Sequence, residues 1–124
     1  MARTSIIEST PVPLTESELL AKLFRALGDP TRLRIVELLA EGPAIQKQIV
    51  STVGLSQGQV SNHLACLVWC GLVRSERRGR EVEYHVADPR VVGILDLARV
   101  LLDRSNAGIA SCRRIDNDQH IDVS

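Results

Sequence analysis

The stretch PAIQKQIVSTVGLSQGQVSNHLACLVWCG, residues 43–71, is typical of two helices joined by a tight turn. Pro43 can occupy the first turn of a short helix, and Gly54 ends that helix. Ser56 can cap a second helix that runs from Gln57 to Cys70. A helix, a short glycine-containing turn and another helix make the helix-turn-helix pattern.

A basic β-hairpin follows this unit. Residues 72–78 and 81–86 favour strand alternation, with Gly79 between them. Glu76 is the acidic residue among four arginines, which are Arg74, Arg77, Arg78 and Arg80. Because clustered arginines bind phosphate groups, we expect a wing that holds the backbone of double-stranded DNA. The alternative is an edge hairpin whose arginines only prevent strand aggregation.

Three further helices flank these elements. Each begins with a capping pattern, and the patterns are Thr15 with Glu18, Asp29 with Pro30, and Asp88 with Pro89. The predicted fold is therefore mainly α with a β-hairpin wing: a winged helix-turn-helix of four helices, two strands and a fifth helix. This domain is expected over residues 15–104, between a flexible N-terminal arm (1–14) and a flexible tail (105–124).

Composition limits the remaining possibilities. The chain has 124 residues, 44% of them apolar, which suits one folded domain. No stretch approaches the ~20 apolar residues of a membrane span, and the N-terminus lacks a signal-peptide core, so we expect a cytoplasmic protein without a membrane partner. Three cysteines give no disulfide framework, so free thiols are expected.

The last helix is apolar around most of its circumference. A chain of this size cannot cover such a helix on all sides, so the sequence predicts a homodimer in which the helix packs against a second copy, with the first helix assisting. The residues predicted at the interface are Leu19, Leu23, Val91, Ile94, Leu95, Ala98, Leu101 and Leu102.

The helix of residues 57–70 has one apolar face, formed by Val60, Leu64, Leu67 and Val68. Short polar side chains near its start face outward, where they can reach base edges in a major groove. Simple solvation of a helix end is the alternative. The basic hairpin that follows directly favours DNA binding.

At these residues the sequence resembles the ArsR/SmtB family of winged-helix metal-responsive repressors. The resemblance covers about residues 18–103 and is carried by three segments, 27–35, 55–64 and 71–84. It implies a dimeric repressor that holds operator DNA when free of ligand and releases it when a metal or metalloid binds. By position, the residues that match the family's DNA-contacting helix are Ser56, Gln57, Gln59, Ser61, Asn62 and His63.

Cysteine spacing predicts the metal site. Cys66 and Cys70 lie one helical turn apart on one face, and Cys112 in the predicted tail can complete a three-sulfur set. Thiolates are soft ligands, which favour Hg(II), Cd(II) and Pb(II), with As(III) and Zn(II) as further candidates, over Ca²⁺ and Mg²⁺. His120 is a weaker candidate ligand in the tail. The alternative is that the helical cysteines are small core residues.

This cysteine arrangement is similar to that of the CmtR-type cadmium and lead sensors of the family and of its mercury repressors from actinomycetes. The resemblance favours Hg(II) as the effector and control of a mercury resistance operon, although three thiolates bind Cd(II) and Pb(II) as well. A thiol redox sensor, with a disulfide from Cys66 or Cys70 to Cys112, is a further alternative. We expect no enzyme and no small organic substrate, since the sequence has no phosphate-binding loop and no activated nucleophile.

Overall fold

The computed structural model describes residues 12–116; most of the predicted arm and the end of the predicted tail, with His120, lie outside the described residues. Its elements are α1 (Glu16–Leu27), α2 (Pro30–Glu41), β1 (Ala44–Ile45), α3 (Gln46–Val53), α4 (Gln57–Trp69), β2 (Val73–Arg78), β3 (Glu81–Val86) and α5 (Pro89–Ala110). The predicted mainly helical fold with a β-hairpin wing is confirmed. Among the described helices, none is long and apolar enough to span a membrane.

Side-chain caps fix where the predicted flanking helices begin. The Thr15 hydroxyl accepts a hydrogen bond from the Glu18 backbone N–H at 3.1 Å. The Asp29 carboxylate accepts one from the Arg32 N–H at 2.9 Å. The Asp88 carboxylate does the same for Arg90 at 2.8 Å. Because each cap satisfies N–H groups that have no partner within the helix, the sequence patterns predicted these three starts correctly.

The sheet has three antiparallel strands in the order β1-β3-β2, one more than the hairpin predicted. In β1, Ala44 pairs with Tyr84 and Ile45 with Glu83. The expectation that Pro43 opens the third helix was therefore wrong, since α3 begins at Gln46. Two residues are too few to show strand alternation in the sequence. Hydrogen bonds to the edge of β3 hold these residues extended, and sequence periodicity does not reveal such a distant partner.

The core lies between the helix-turn-helix unit, α2 and the sheet. Seven side chains are almost completely buried: Ile35, Val36, Ile49, Val60, Leu64, Leu67 and Val73. α4 thus buries three of the four apolar residues predicted for its inner face. The fourth, Val68, is 37% exposed, because it lies about 100° around the helix from Leu67 and borders the groove between α4 and the wing.

Helix α5 differs from its prediction in length and in what it buries. It continues to Ala110, beyond residue 104 at which a flexible tail was expected, because polar residues do not interrupt a solvent-facing helix that keeps its backbone hydrogen bonds. Val91 and Leu95, which were predicted at the dimer interface, belong to the core of the protomer. The first turns of α5 pack against α2 and β3, which cover these two side chains.

An apolar surface remains exposed on α1 and on the outer part of α5. In α1, Leu19 and Phe24 are 55% and 59% exposed. In α5, Leu97, Val100 and Leu101 are 73%, 64% and 62% exposed. Large exposed apolar side chains of this kind are typical of association surfaces. We call this set, with Leu20 and Leu102, the apolar surface.

The turn between α3 and α4 depends on Gly54, whose φ of 73° lies in the left-handed region. An alanine there fits spatially, since no atom lies within 4 Å of the added Cβ, but its backbone is strained. We expect Gly54→Ala to lower the free energy of unfolding by about 1 kcal/mol. Urea denaturation measures this change.

Gly58→Ala is the matched control, because this glycine lies inside α4 with equal space around it. Alanine is the better helix former, so this variant should gain a few tenths to about 1 kcal/mol. Equal effects of the two substitutions would contradict the assigned role of the turn.

Candidate functional site

The start of α4 presents polar side chains held in a reciprocal cap. The Ser56 hydroxyl accepts a hydrogen bond from the Gln59 N–H at 3.1 Å, and the Gln59 side-chain oxygen accepts one from the Ser56 N–H at 3.1 Å. Both residues are exposed, as are Gln57, Ser61 and Asn62. Ser56 and Gln59 therefore order the helix end, and the other three side chains form its outward surface.

Gln46, at the start of α3, connects the two helices of the unit. Its side-chain amide donates hydrogen bonds to the Ser61 hydroxyl at 2.6 Å and to the Gln57 carbonyl at 3.2 Å. The next residue, Lys47, is exposed and lines one groove together with Gln57 and Arg80 of the wing. Sequence reasoning missed both residues. The available signal was Lys47, a cation in the first helix of a helix-turn-helix, the helix that crosses the DNA backbone.

His63 lies on another side of α4. It is half-buried, and its Nδ1 lies 3.9 Å from an Asp29 carboxylate oxygen at the start of α2. His63 was predicted to contact DNA by its position in the helix-turn-helix. In the structure it packs beside the α2 cap, about 200° around α4 from Ser61.

The strand register places three of the four wing arginines on the two faces of the hairpin, and Arg80 lies in the turn. Arg74 pairs with His85 and Arg78 pairs with Glu81, so these four side chains share one face of the hairpin. Arg77 lies on the other face with Ser75 and Tyr84, which border the groove next to α4. The helix-facing side of the wing thus carries Arg77.

Ion pairs neutralise part of the predicted basic wing. Arg74 lies 3.2 Å from Glu76, and Arg78 lies 3.3 Å from Glu83. Hydrogen bonding from Arg74 and the charge of Arg78 lower the pKa of Glu76, so this carboxylate stays ionised at neutral pH. Of the four wing arginines, Arg77 and Arg80 have no carboxylate of residues 12–116 within ion-pair distance, so their charges are uncompensated.

Cys66 and Cys70 lie on the side of α4 near Arg32 of α2 and Lys22 of α1. Cys66 is partly buried and Cys70 is exposed. Partial burial, the neighbouring Cys66 thiol and a hydrogen bond between the two thiols raise the pKa of Cys70, and the charges of Arg32 and Lys22 act in the opposite direction. The two sulfurs are therefore adjacent, and without a metal the Cys70 thiol is protonated at neutral pH.

The structure does not bring Cys112 to this pair. Cys112 follows the end of α5, where its N–H donates to the Ile109 carbonyl at 3.2 Å. Because α5 continues to Ala110, this cysteine is held at a helix end, whereas the sequence predicted a mobile tail. Within residues 12–116, three candidate metal-ligand atoms do lie within 4.8 Å of one another, but they belong to Glu76, Glu83 and His85 of the wing.

Comparison with known proteins identifies the family. Residues 29–75 match the family model described as bacterial regulatory protein, arsR family. A probable mercury resistance operon repressor of Streptomyces lividans is 40% identical over 109 residues, which cover 88% of this chain and 87% of that protein. The HTH-type transcriptional regulator CmtR of Mycobacterium bovis is 45% identical over 84 residues, which cover 67% of this chain and 71% of that protein.

A solved structure shows the same architecture. It is the homodimeric winged helix-turn-helix DNA-binding domain of a possible ArsR-family transcriptional regulator from Mycobacterium bovis, which superposes with a TM-score of 0.65 at 30% identity and covers 70% of this chain and 81% of that one. The relatives are transcriptional regulators and not enzymes, as the sequence predicted. The chain therefore belongs to the arsR family of bacterial regulatory proteins.

Proposed function

We propose that this protein is a metal-responsive repressor that binds operator DNA as a homodimer and releases it when Hg(II) binds Cys66, Cys70 and Cys112. The observation that carries the proposal is the adjacent thiol pair on α4, the helix whose other end presents the polar outward surface. Similarity to a protein named as a probable mercury resistance operon repressor supports Hg(II). Cd(II) and Pb(II) are the second candidates, because thiolates bind them as well.

The DNA-binding surface combines two kinds of residue. Gln57, Ser61 and Asn62 offer hydrogen-bonding groups to base edges, and Gln46 orients Ser61. The uncompensated cations Lys47, Arg77 and Arg80 contact the phosphate backbone of the DNA. Ser56 and Gln59 cap the helix that carries this surface. Arg74 and Arg78 contribute less, since their charges are paired with carboxylates.

Whether a wing arginine is paired with a carboxylate determines how much its substitution should weaken DNA binding. We expect Arg77→Ala to weaken binding to an operator selected from randomised duplexes and to unrelated duplex alike, and to lower the slope of log affinity against log salt by about one. Arg74→Ala is the control and should have a smaller effect, because Glu76 already neutralises Arg74. Fluorescence anisotropy at several salt concentrations measures both. Equal losses would contradict the division of the wing arginines.

The apolar surface supports a homodimer. Without the two core residues, the predicted interface set consists of Leu19 and Leu23 of α1 and Ile94, Ala98, Leu101 and Leu102 of α5. A dimer places two copies of α4 for two half-sites, as a palindromic operator requires.

A charge in the apolar surface tests the dimer. We expect Leu101→Asp to weaken self-association at least about tenfold, because a carboxylate buried without a partner costs more than about 1.4 kcal/mol. Val12→Asp is the control, since Val12 is 87% exposed and lies ahead of α1. Sedimentation velocity measures the change. A monomeric wild type, or a Leu101→Asp variant that associates normally, would exclude this interface.

The thiol pair fits a soft metal ion better than a redox role. The raised pKa of Cys70 keeps its thiol protonated, and thiolate is the form that reacts with oxidants. A metal cation displaces the thiol proton on binding, so a protonated resting state does not prevent ligation.

The position of Cys112 favours a third thiolate donated by the other subunit. From Leu95 in the core to Cys112 the chain advances about 25 Å along α5, and in the described structure this cysteine is not near the pair. Within one protomer the three sulfurs are too far apart in the described structure to bind one ion, so the end of α5 would have to move. A second copy can supply Cys112 without that cost.

Cysteine variants test the proposed switch. Cys66→Ser and Cys70→Ser should keep operator binding but lose release by metal, because serine is not a soft ligand. Cys112→Ser should respond partially, since two thiolates remain. Thiolate-to-metal absorption and an operator release assay, both under reducing conditions, measure these effects. Wild-type release from the Cys66→Ser variant, or release by peroxide without metal, would refute the mechanism.

Mixed dimers locate the third ligand. Subunits with Cys66→Ser and Cys70→Ser, combined with Cys112→Ser subunits, contain one complete three-thiol site only if Cys112 acts across the dimer. We expect this mixture to recover three-thiolate absorption that neither variant shows alone.

A further inference from the structure

One face of the wing carries a cluster of ligands that the cysteine site does not use. The residues of this outer wing face are Arg74, Glu76, Arg78, Glu81, Glu83 and His85, which the register of β2 and β3 places on the same side. The His85 Nε2 lies 2.9 Å from the Glu83 Oε1 and 3.4 Å from the Glu76 Oε1. All three atoms lie within 4.8 Å of one another.

Two of these atoms are buried without a hydrogen bond. The Glu83 Oε1 and the His85 Nε2 make no hydrogen bond of acceptable geometry in the described part of the chain, although they lie 2.9 Å apart and the Arg78 Nε lies 3.3 Å from the Glu83 Oε1. A donor aligned with its acceptor at this separation would form a strong bond, so the ring does not direct an N–H along the line between them. Buried unsatisfied polar atoms are costly and commonly indicate a bound water or ion.

The separations suit a metal ion. Ligand bonds of ~2.0–2.1 Å in a tetrahedral zinc site place the ligand atoms ~3.3–3.4 Å apart. The observed separation of 3.4 Å between the His85 Nε2 and the Glu76 Oε1 matches that value, and the 2.9 Å between the His85 Nε2 and the Glu83 Oε1 is shorter. One imidazole nitrogen with two carboxylate oxygens is a borderline ligand set, suited to Zn(II) and Co(II) and poorly suited to Hg(II).

We propose that Glu76, Glu83 and His85 form a metal site for a borderline divalent cation of the zinc type, separate from the cysteines. Water supplies the remaining coordination, since Glu76 is 44% exposed. The site goes beyond the proposed function because it takes another class of ion on another element.

The arginines of the outer wing face are displaced when the ion binds. Arg74 and Arg78 contact the same carboxylates, but their side chains are 54% and 62% exposed and can turn into solvent. Two arginines and three glutamates leave this face with one net negative charge, which attracts a dication. A bound dication changes that to one net positive charge and frees two arginines on the outer wing face.

The test uses a variant that lacks the thiols. In Cys66→Ser, Cys70→Ser, Cys112→Ser protein we expect calorimetry to find one Zn(II) per subunit, and Co(II) to give visible bands without thiolate charge transfer. Adding Glu76→Gln should weaken binding at least about tenfold, and His85→Gln should do the same. Alkylated wild-type protein provides the same measurement if the serine variant does not fold.

His63→Gln is the matched control, because His63 is also half-buried but lies on α4. It should leave Zn(II) binding unchanged. The proposal is overturned if the thiol-free protein binds no stoichiometric Zn(II), if Glu76→Gln binds it as before, or if His63→Gln abolishes binding.

Discussion

Burial of Val60, Leu64 and Leu67 fixes the rotation of α4 about its own axis, and every candidate functional group depends on that rotation. The three side chains are at most 1% exposed and share one core with Ile35 and Ile49. Each contributes about 1.5–3 kcal/mol through burial. A rotation by one residue, about 100°, would expose them, so the orientation is unique. The same constraint directs Ser61 toward the wing and the two thiols toward α1 and α2.

In the wing, the strand register determines which way each side chain points. Because side chains alternate between the two faces, the pairing of Glu76 with Glu83 decides which arginines meet carboxylates and which do not. Shifting the register by one residue would exchange Arg77 with Arg78. A formal net charge of zero therefore coexists with a local excess of positive charge at Arg77, Arg80 and Lys47. The location of charge, and not its sum, governs whether DNA is attracted.

Local sequence signals predicted most of this fold, because caps and glycine turns depend on residues three or four positions apart. Asp29 and Gly54 are examples in which the residue type itself meets a backbone requirement. The features that sequence did not predict depend on distant partners. β1 exists because β3 offers an edge, Val91 and Leu95 are buried by α2 and β3, and His63 lies beside Asp29 at the start of α2. The orphaned Glu83 and His85 atoms likewise become visible only once the strands are paired.

The proposed switch requires that an ion near the end of α4 changes how its start meets DNA. Cys66 lies about 13 Å along the helix from Gln57, so no direct contact links them. The connection is the helix itself, whose last turn is closed by the Cys70 N–H to the Cys66 carbonyl at 3.0 Å. An ion that draws both sulfurs together stiffens this turn without shortening the helix.

The effect on DNA must therefore come from moving α4 as a rigid body against its buried contacts. A coupling free energy of about 1–3 kcal/mol, enough for a 5- to 150-fold change in affinity, equals the contribution of about one buried aliphatic side chain. Two thiolates on α4 alone connect the ion to no other element, so they shift α4 less than a complete three-ligand site does. A third ligand on another element gives the ion something to pull α4 toward, and this is why the location of Cys112 is central to the mechanism.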